Sequence, residues 1–169
     1  MAYLLIDGYN LIGLGHNDLE EARKEIIARL SRYSALKGHD ITIVFDAWKR
    51  EDSAGSSTKT GNVTVIYSRV AEKADEVIIK MLAGEKKDCI VISSDREISD
   101  AALRNDMAAI SSDEFERKLD HALASEDYES ERYEDNDDEE DYRSPAGLKG
   151  NPKKLSKNDK RRSLALNKL

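Results

Sequence analysis

The stretch YLLIDGYNLI, residues 3–12, begins with a short apolar run that stops at the pair Asp7-Gly8. A short apolar run that ends at turn-forming residues is typical of a buried β-strand. Similar apolar or β-branched runs recur along the chain, at residues 41–45, 63–67, 89–92 and 107–110. The chain is therefore expected to form several short buried strands.

Amphipathic stretches separate these runs. Asp18 could cap a helix that continues to about Leu36, with Gly38 just beyond its end. Further helical apolar stripes lie at residues 74–82, 98–103 and 115–123. This alternation predicts an α/β fold, a three-layer α/β/α sandwich with a mostly parallel central sheet. The segment 49–62 is rich in Ser, Gly and Lys and is predicted to be a loop.

The composition indicates a domain with a charged extension. Of the 169 residues, 39% are hydrophobic and 36% are charged, so part of the chain is expected to lie outside the core. A single cysteine, Cys89, excludes an internal disulfide framework and suits a reducing compartment. The N-terminal residues do not resemble a signal peptide, and no stretch is long enough to span a membrane. We therefore expect a cytoplasmic protein without a membrane partner.

The C-terminal third has two blocks of opposite charge. Residues 126–143 contain eleven acidic residues and two arginines, whereas residues 144–169 contain eight basic residues and one acidic residue. Such blocks lack the apolar content needed for a core. We divide the chain into a domain at 1–124, an acidic disordered linker at 125–143 and a basic tail at 144–169. Residues 156–169 could form a short helix, although their leucines are too few to bury it alone.

Four aspartates occupy positions that favour a shared site. Asp7, Asp46 and Asp95 follow predicted strands, and Asp75 lies near the start of the helix after the third strand. Ligands of parallel α/β sheets bind beyond the carboxyl ends of the strands, where these side chains should converge. Clustered carboxylates repel each other, so a cation would stabilise them. Hard oxygen ligands favour Mg²⁺ or Mn²⁺, and the three histidines and one cysteine show no zinc spacing.

Each of these residues also has a purely structural interpretation. An aspartate after a strand often caps a helix or forms a turn, and Asp75 could simply favour the helix dipole. Asn10 could bind a carboxylate or a ligating water, or it could only close the turn after Asp7. Ser93 and Ser94 could orient Asp95 or cap the following helix.

A weaker signal concerns RNA contacts. Trp48 beside Lys49 and Arg50 could stack on a base, or it could anchor the loop. Lys73 and Arg96 could each hold a phosphate oxygen, although their sequence context favours a solvated surface position. Cys89, within a predicted strand, is interpreted as core packing.

The motifs that carry the aspartates resemble those of the YacP-like NYN domain family, within the wider group of PIN-like nucleases. The resemblance rests on the order and spacing of LIDGYNLI (residues 5–12), VFDA (44–47), ADEVI (74–78) and SSDREI (93–98). It covers about residues 1–123. Lys73 departs from the pattern, because a small or hydroxyl residue is expected before the Ala-Asp pair.

The resemblance implies a Mg²⁺- or Mn²⁺-dependent endoribonuclease with a three-layer fold. By position, Asp7, Asp75 and Asp95 would be catalytic metal ligands, with Asp46 and Asn10 supporting them. Its substrate would be single-stranded RNA. The resemblance leaves open whether this is messenger RNA met during translation, whether the ribosome takes part, and how many copies of the chain assemble.

Two other functions remain compatible with the sequence. The chain could be a catalytically weak RNA- or ribosome-binding module on the same fold. It could also be a metal-dependent phosphatase, although aspartyl phosphatases usually carry a second acid two residues after the first. Here that position is Tyr9, in the sequence Asp7-Gly8-Tyr9.

Overall fold

The computed structural model describes residues 1–13, 18–47, 55–84, 89–132 and 156–169. Strands and helices alternate as predicted, in the order β1 (Tyr3–Asp7), α1 (Gly8–Ile12), α2 (Leu19–Lys37), β2 (Asp40–Phe45), β3 (Ser56–Thr60), β4 (Val63–Tyr67), α3 (Ala74–Gly84), β5 (Cys89–Ile92), α4 (Arg96–Arg104), β6 (Ala108–Ile110), α5 (Ser112–Arg132) and α6 (Lys157–Lys168). Asp18 caps α2 as expected, and Gly38 ends it in the left-handed conformation.

The strands form one six-stranded sheet in the order β3-β4-β2-β1-β5-β6. All neighbouring strands are parallel except the pair β3 and β4. Strand β1 is central and pairs with β2 on one side and β5 on the other. The carboxyl ends of β1, β2 and β5 therefore meet at one edge of the sheet, the carboxyl edge.

Side chains from β1 alternate between two hydrophobic cores. Leu4 and Ile6 join the core formed with α2 and α5, whereas Leu5 joins the core formed with α3 and α4. Because helices cover both faces of the sheet, the central strands β1 and β5 are buried along nearly their whole length. The predicted three-layer α/β/α sandwich with a mostly parallel sheet is confirmed.

The predicted loop at 49–62 contains an edge strand. Ser56–Thr60 pairs antiparallel with β4 through a two-residue turn that begins at Gly61, whose φ is +59°. All five side chains of this strand are exposed, so it carries no apolar alternation. The prediction of a continuous loop was wrong there, because backbone pairing alone forms the strand. Residues 48–54 lie outside the described part of the chain.

The C-terminal region departs from the predicted division at residue 124. Helix α5 continues to Arg132, and α6 packs against the sheet with Ala165 and Leu169 buried. The expected helix within 156–169 is present, but it belongs to the folded body. The acidic linker at 125–143 and the start of the basic tail fall largely on residues 133–155, outside the described residues.

Hydrogen bonds to the last carbonyl oxygens of α6 compensate for its few leucines. The Tyr33 hydroxyl donates to the Leu169 carbonyl over 2.8 Å, and the Lys118 ammonium donates to the Leu166 carbonyl over 3.0 Å. His39 Nδ1 accepts from the Ala2 amide, so its Nε2 donates to the Lys168 carbonyl over 3.0 Å. These bonds satisfy carbonyls that a helix end leaves without partners.

None of the helices in the described part of the chain combines the length and the apolar character that a membrane span requires.

Candidate metal centre

Asp7 is the most buried member of the aspartate set, with 3% of its surface exposed. As the last residue of β1 it caps α1, and its Oδ1 accepts a bond from the Asn10 amide over 3.3 Å. Its Oδ2 accepts from the Asn10 side-chain amide and from the Ser93 hydroxyl. A carboxylate offers about four acceptor sites, so these three donors leave capacity for a further ligand.

Asp95 lies at the end of the neighbouring strand β5 and caps α4. Its Oδ1 accepts from the Glu97 amide over 2.6 Å and from the Ile98 amide over 3.2 Å. Both capping bonds go to the same oxygen, so Oδ2 takes no part in the cap. The structural and functional interpretations of this aspartate are therefore compatible.

Ser93 connects these two aspartates. Its hydroxyl donates to Asp7 Oδ2 over 3.2 Å and accepts from the Asp95 amide over 3.0 Å. Ser94 instead accepts from the amide of Ser112 at the start of α5. The sequence left both serines open between orienting Asp95 and capping a helix. Ser93 contacts Asp95 as the first alternative expects, whereas α4 is capped by Asp95 itself and by neither serine.

Asp46 helps to position Asp75 through a hydrogen bond to the backbone of α3. Its Oδ1 accepts from the Ala74 amide, the first residue of α3. A carboxylate from the end of β2 therefore caps a helix from a distant part of the chain. Asp75 is the next residue of α3, so this bond sets where its side chain enters the carboxyl edge.

The pKa of Asp75 is affected by the three other aspartates. Burial raises the pKa of this half-buried carboxyl, and the negative charges of Asp7, Asp95 and Asp46 raise it further. The exposed ammonium of Lys73 acts in the opposite direction. The charges of Asp7, Asp46 and Asp95 therefore reach Asp75, and their binding of a shared ligand stays a prediction.

The donor set matches a hard divalent cation in chemistry, although it does not enclose one. Among the described residues, no three acidic, His or Cys side chains are close enough together to surround a metal ion. Mg²⁺ usually keeps several waters and binds through only one or two carboxylates. The aspartates, which offer oxygen donors only, therefore fit an open site in which water completes the coordination.

Two of the predicted RNA-contacting residues, Lys73 and Arg96, lie in the described part of the chain. Lys73 is close enough to affect the pKa of Asp75. Arg96 has a side chain that is 95% exposed and lies 4.0 Å from Asp100 one helical turn away. Trp48, Lys49 and Arg50 lie outside the described residues.

Basic side chains of α6 are engaged with the folded body. Arg161 pairs with Asp106, Lys157 lies 3.3 Å from the same carboxylate, and Arg162 lies 2.6 Å from Glu114. These residues belong to the predicted basic tail, in which residues 156–169 were expected to be able to form a short helix. Their charges help to hold α6 against the end of α4 and the start of α5.

Arg23 was missed by the sequence analysis. It packs over the rings of Tyr9, Phe45 and Tyr67. No local signal marks it, because these rings come from three separate elements and meet only in the folded chain.

Known proteins resemble this chain in sequence and in structure. A relative from Bacillus subtilis (strain 168), described as uncharacterized protein YacP, is 36% identical over 88 residues. The match covers 48% of this chain and 51% of that protein, so the chain spans about half the length of its curated relative.

The crystal structure of Rae1 (YacP) from Bacillus subtilis superposes with a TM-score of 0.65 at 26% identity. That superposition covers 79% of this chain and 82% of that one. A single-substitution variant of Rae1 superposes with a TM-score of 0.66 at the same identity, covering 79% of this chain and 84% of its own.

The family comparison extends further along the sequence than the curated relative. Residues 4–162 match the model of the YacP-like NYN domain family, which includes all four aspartates and the first half of α6. The chain therefore belongs to the YacP-like NYN domain family and has its nuclease-type, PIN-like fold.

Proposed function

We propose that this protein is a metal-dependent endoribonuclease that hydrolyses phosphodiester bonds in single-stranded RNA. The observation that carries the proposal is that aspartates from the ends of neighbouring parallel strands and from the start of α3 are positioned at one edge of the sheet by Ser93 and Asp46. The pKa of Asp75 is raised by burial and by three neighbouring carboxylates, in the order Asp7, Asp95 and Asp46. Such repulsion costs stability, and a bound cation offsets it.

The cofactor we propose is Mg²⁺ or Mn²⁺. Nucleases of the NYN and PIN-like group generally use divalent metal ions. Asp7, Asp75 and Asp95 would supply the carboxylates at the carboxyl edge, with one or two of them contacting the ion directly and water completing its coordination. When bound, such an ion makes a water more acidic and neutralises charge that develops on the phosphate.

The surrounding residues position these carboxylates. Asn10 and Ser93 fix both oxygens of Asp7, and Asp46 fixes the start of the helix that carries Asp75. Partners of this kind orient ligands and usually matter for affinity nearly as much as the ligands themselves. The ammonium of Lys73 lies on the exposed side of the cluster, where it can contact a phosphate oxygen of the RNA.

Hydrolysis requires a new bond from water oxygen to phosphorus while the bond from phosphorus to the leaving ribose oxygen breaks. One proton leaves the water and another reaches the departing oxygen. The chain contributes by holding the phosphate beside fixed carboxylates, so that the attacking water is oriented before reaction. The substrate we propose is messenger RNA, and the ribosome is a candidate partner in presenting it.

A catalytically weak RNA- or ribosome-binding module is the second candidate. It is favoured by one observation, that no three metal-binding side chains in the described ranges are close enough to enclose an ion. The phosphatase hypothesis has no comparable support, because Tyr9 stands two residues after Asp7 and supplies no second carboxylate.

The decisive experiment measures cleavage. Labelled single-stranded RNA and DNA are incubated with the pure protein in Mg²⁺, Mn²⁺ or EDTA. We expect RNA to be cut only with a metal, and Asp7→Asn and Asp75→Asn to lose cleavage while remaining folded. Asp100→Asn is the matched control, because this α4 aspartate lies near Arg96 on the exposed surface.

The outcomes separate the two candidates. RNA binding without cleavage, in the parent protein and in every metal, would favour the binding module. Equal cleavage by Asp7→Asn and the parent would place the chemistry elsewhere in the protein.

A further inference from the structure

Arg23, near the start of α2, stacks on three aromatic rings from three other elements. Its guanidinium carbon lies 5.4 Å from the ring centre of Tyr9, 5.8 Å from that of Phe45 and 5.9 Å from that of Tyr67. One of its terminal nitrogens also donates to the Tyr9 hydroxyl. We call these four residues the arginine–aromatic cluster.

The rings themselves are held in a fixed arrangement. Tyr9 meets Phe45 edge-on with centroids 5.8 Å apart, and Tyr67 stacks on Phe45 at 5.7 Å. Phe45 is fully buried, whereas Tyr9 and Tyr67 are partly exposed. The cluster therefore presents aromatic surface on a rigid base.

One N–H group of the Arg23 guanidinium has no hydrogen-bond acceptor among the described residues. This group is at Nε, which is buried. Its neighbours Glu20 and Lys24 pair with each other at 3.0 Å, and no carboxylate within the described ranges pairs with Arg23. A buried donor without an acceptor lowers the free energy of unfolding, so this nitrogen destabilises the folded protein.

A cavity lies beside Arg23. It has a volume of about 180 Å³ and is lined by Glu20, Arg23, Lys24, Ile27 and Tyr67. It therefore combines an aromatic wall, a planar cation and an apolar floor, which is the surface that a planar heterocycle prefers.

The cavity lies toward the carboxyl edge of the sheet, because its lining residue Tyr67 is the last residue of β4. Tyr9 lies two residues after Asp7, Phe45 directly precedes Asp46, and Tyr67 ends the strand that pairs with β2. An RNA strand whose phosphate lies at the aspartates therefore has this cavity within reach of a flanking nucleotide.

We infer that the cavity beside the arginine–aromatic cluster is a nucleobase subsite. One base of single-stranded RNA enters the cavity, packs beside Tyr67 and accepts a hydrogen bond from the Arg23 guanidinium through a ring carbonyl or ring nitrogen. The subsite rests on the proposed function, because it places that base beside the phosphodiester that the aspartates are proposed to hold. It assigns to Arg23 and Tyr67 a part in RNA binding that is separate from metal binding.

The first test measures RNA affinity in EDTA, where cleavage is not expected. The probe is a fluorescent single-stranded RNA dodecamer, followed by anisotropy. Arg23→Gln is expected to weaken binding roughly tenfold, since stacking and hydrogen bonding to one base are lost together. Arg23→Lys keeps the charge but loses the planar fork, so it should also bind weakly.

Lys37→Gln is the matched control. It removes the same charge from the other end of α2, where the side chain is exposed and far along the helix from the cavity. We expect parental affinity from it. Equal losses in Lys37→Gln and Arg23→Gln would reduce the effect to net charge and overturn the subsite.

A second RNA separates base recognition from phosphate attraction. This dodecamer carries abasic riboses at its central positions and has the same number of phosphates. The parent should prefer the base-bearing RNA, and Arg23→Gln should lose most of that preference. An unchanged preference in the variant would show that the bases are recognised elsewhere.

A third measurement needs no variant, in case Arg23 is required for folding. The parent is cross-linked by ultraviolet light to RNA containing 5-bromouridine and then digested with trypsin. The expected adduct lies on TGNVTVIYSR, residues 60–69, which contains Tyr67. Adducts confined to other peptides, or failure of the parent to bind the RNA, would overturn the inference.

These results are independent of cleavage. Cross-linking at Tyr67 by a protein that never cuts RNA supports the subsite and rejects the nuclease. Cleavage by a protein whose Arg23 variants bind both RNAs as the parent does supports the nuclease and rejects the subsite.

Discussion

The hydroxyl of Ser93 lies 3.2 Å from Oδ2 of Asp7 and joins the carboxyl ends of β5 and β1. The same hydroxyl accepts a hydrogen bond from the Asp95 amide. The buried Ser93 side chain is therefore hydrogen-bonded to two of the proposed metal ligands. Ser93 should therefore affect metal binding without being a ligand itself.

Ser93→Ala is expected to weaken Mn²⁺ binding by about 10–100-fold, the usual effect of losing a residue that orients a ligand. The loss of buried hydrogen bonds should also lower the free energy of unfolding by about 1–2 kcal/mol. Calorimetric titration with Mn²⁺ and urea unfolding measure the two effects. Ser99→Ala is the control, because Ser99 bonds only to the Asp95 carbonyl within α4. Parental Mn²⁺ affinity in Ser93→Ala would show that Asp7 does not need this bond.

Asp75→Asn should change stability in opposite directions with and without metal. Without metal the variant should unfold at a higher temperature than the parent, because it removes a carboxylate that is repelled by Asp7, Asp95 and Asp46. With Mn²⁺ the parent should gain stability by mass action, and the variant should gain much less. Differential scanning fluorimetry with a metal titration measures both. A metal-induced gain equal to the parent's would exclude Asp75 as a ligand.

The difference in stability between Asp75→Asn and the parent without metal should depend on pH, because the pKa of Asp75 is raised. The folded state binds this proton more tightly than the unfolded state, so the associated stability is present at low pH. It is lost as the pH rises through the folded-state pKa. The advantage of Asp75→Asn over the parent should therefore grow as the pH rises from about 4 to neutrality. Urea unfolding of both proteins across this range tests the sign. The contribution of His39, whose pKa is lowered by burial, is common to both proteins and cancels.

Gly8→Ala should destabilise the protein, because the space of its side chain is occupied by the Phe45 ring. An added Cβ would lie 2.3 Å from two ring atoms of Phe45. The ring is buried and packed between Tyr9 and Tyr67, so relieving this contact should cost about 1–3 kcal/mol. Gly84→Ala is the control, since its added Cβ would meet no atom of another described segment within 4 Å. Equal urea midpoints for the two variants would contradict the close approach of Phe45 to Gly8.

Tyr33→Phe should loosen α6. The change keeps the ring packed against Phe115 and His39 but removes the hydroxyl that bonds the Leu169 carbonyl. We expect a loss of about 1 kcal/mol and faster amide hydrogen exchange in α6. Ser31→Ala removes a hydroxyl from the same helix that bonds only within α2, and it should leave α6 unchanged. Exchange in α6 at the parental rate would show that this bond does not retain the helix.

The aspartates show how much of the site could be predicted from local sequence. Asp7, Asp46 and Asp95 each follow an apolar run, and a parallel sheet brings the ends of such runs to one edge. Their convergence followed from short-range patterns and one topological rule. Which hydrogen bonds fix each carboxylate did not follow, because Ser93 and Ala74 approach from distant segments.

The formation of strand β3 and the packing of helix α6 depend on contacts that cannot be predicted from the residue types in these two elements. The five side chains of β3 are all exposed, and its pairing with β4 is made by backbone groups that every residue carries. Helix α6 is retained partly through its carbonyl oxygens, which Tyr33, His39 and Lys118 contact. Hydrophobic patterning cannot report either kind of contact.

By itself, the sequence determined the alternation of strands and helices, the family motifs and the placement of four acids at strand ends and at a helix start. These features depend on residue type and spacing over a few turns of chain. The tertiary structure alone decided that Arg23 would lie on Tyr9, Phe45 and Tyr67 without a carboxylate partner among the described residues. Those four residues come from four separate elements, and only the folded sheet brings them within reach of one another.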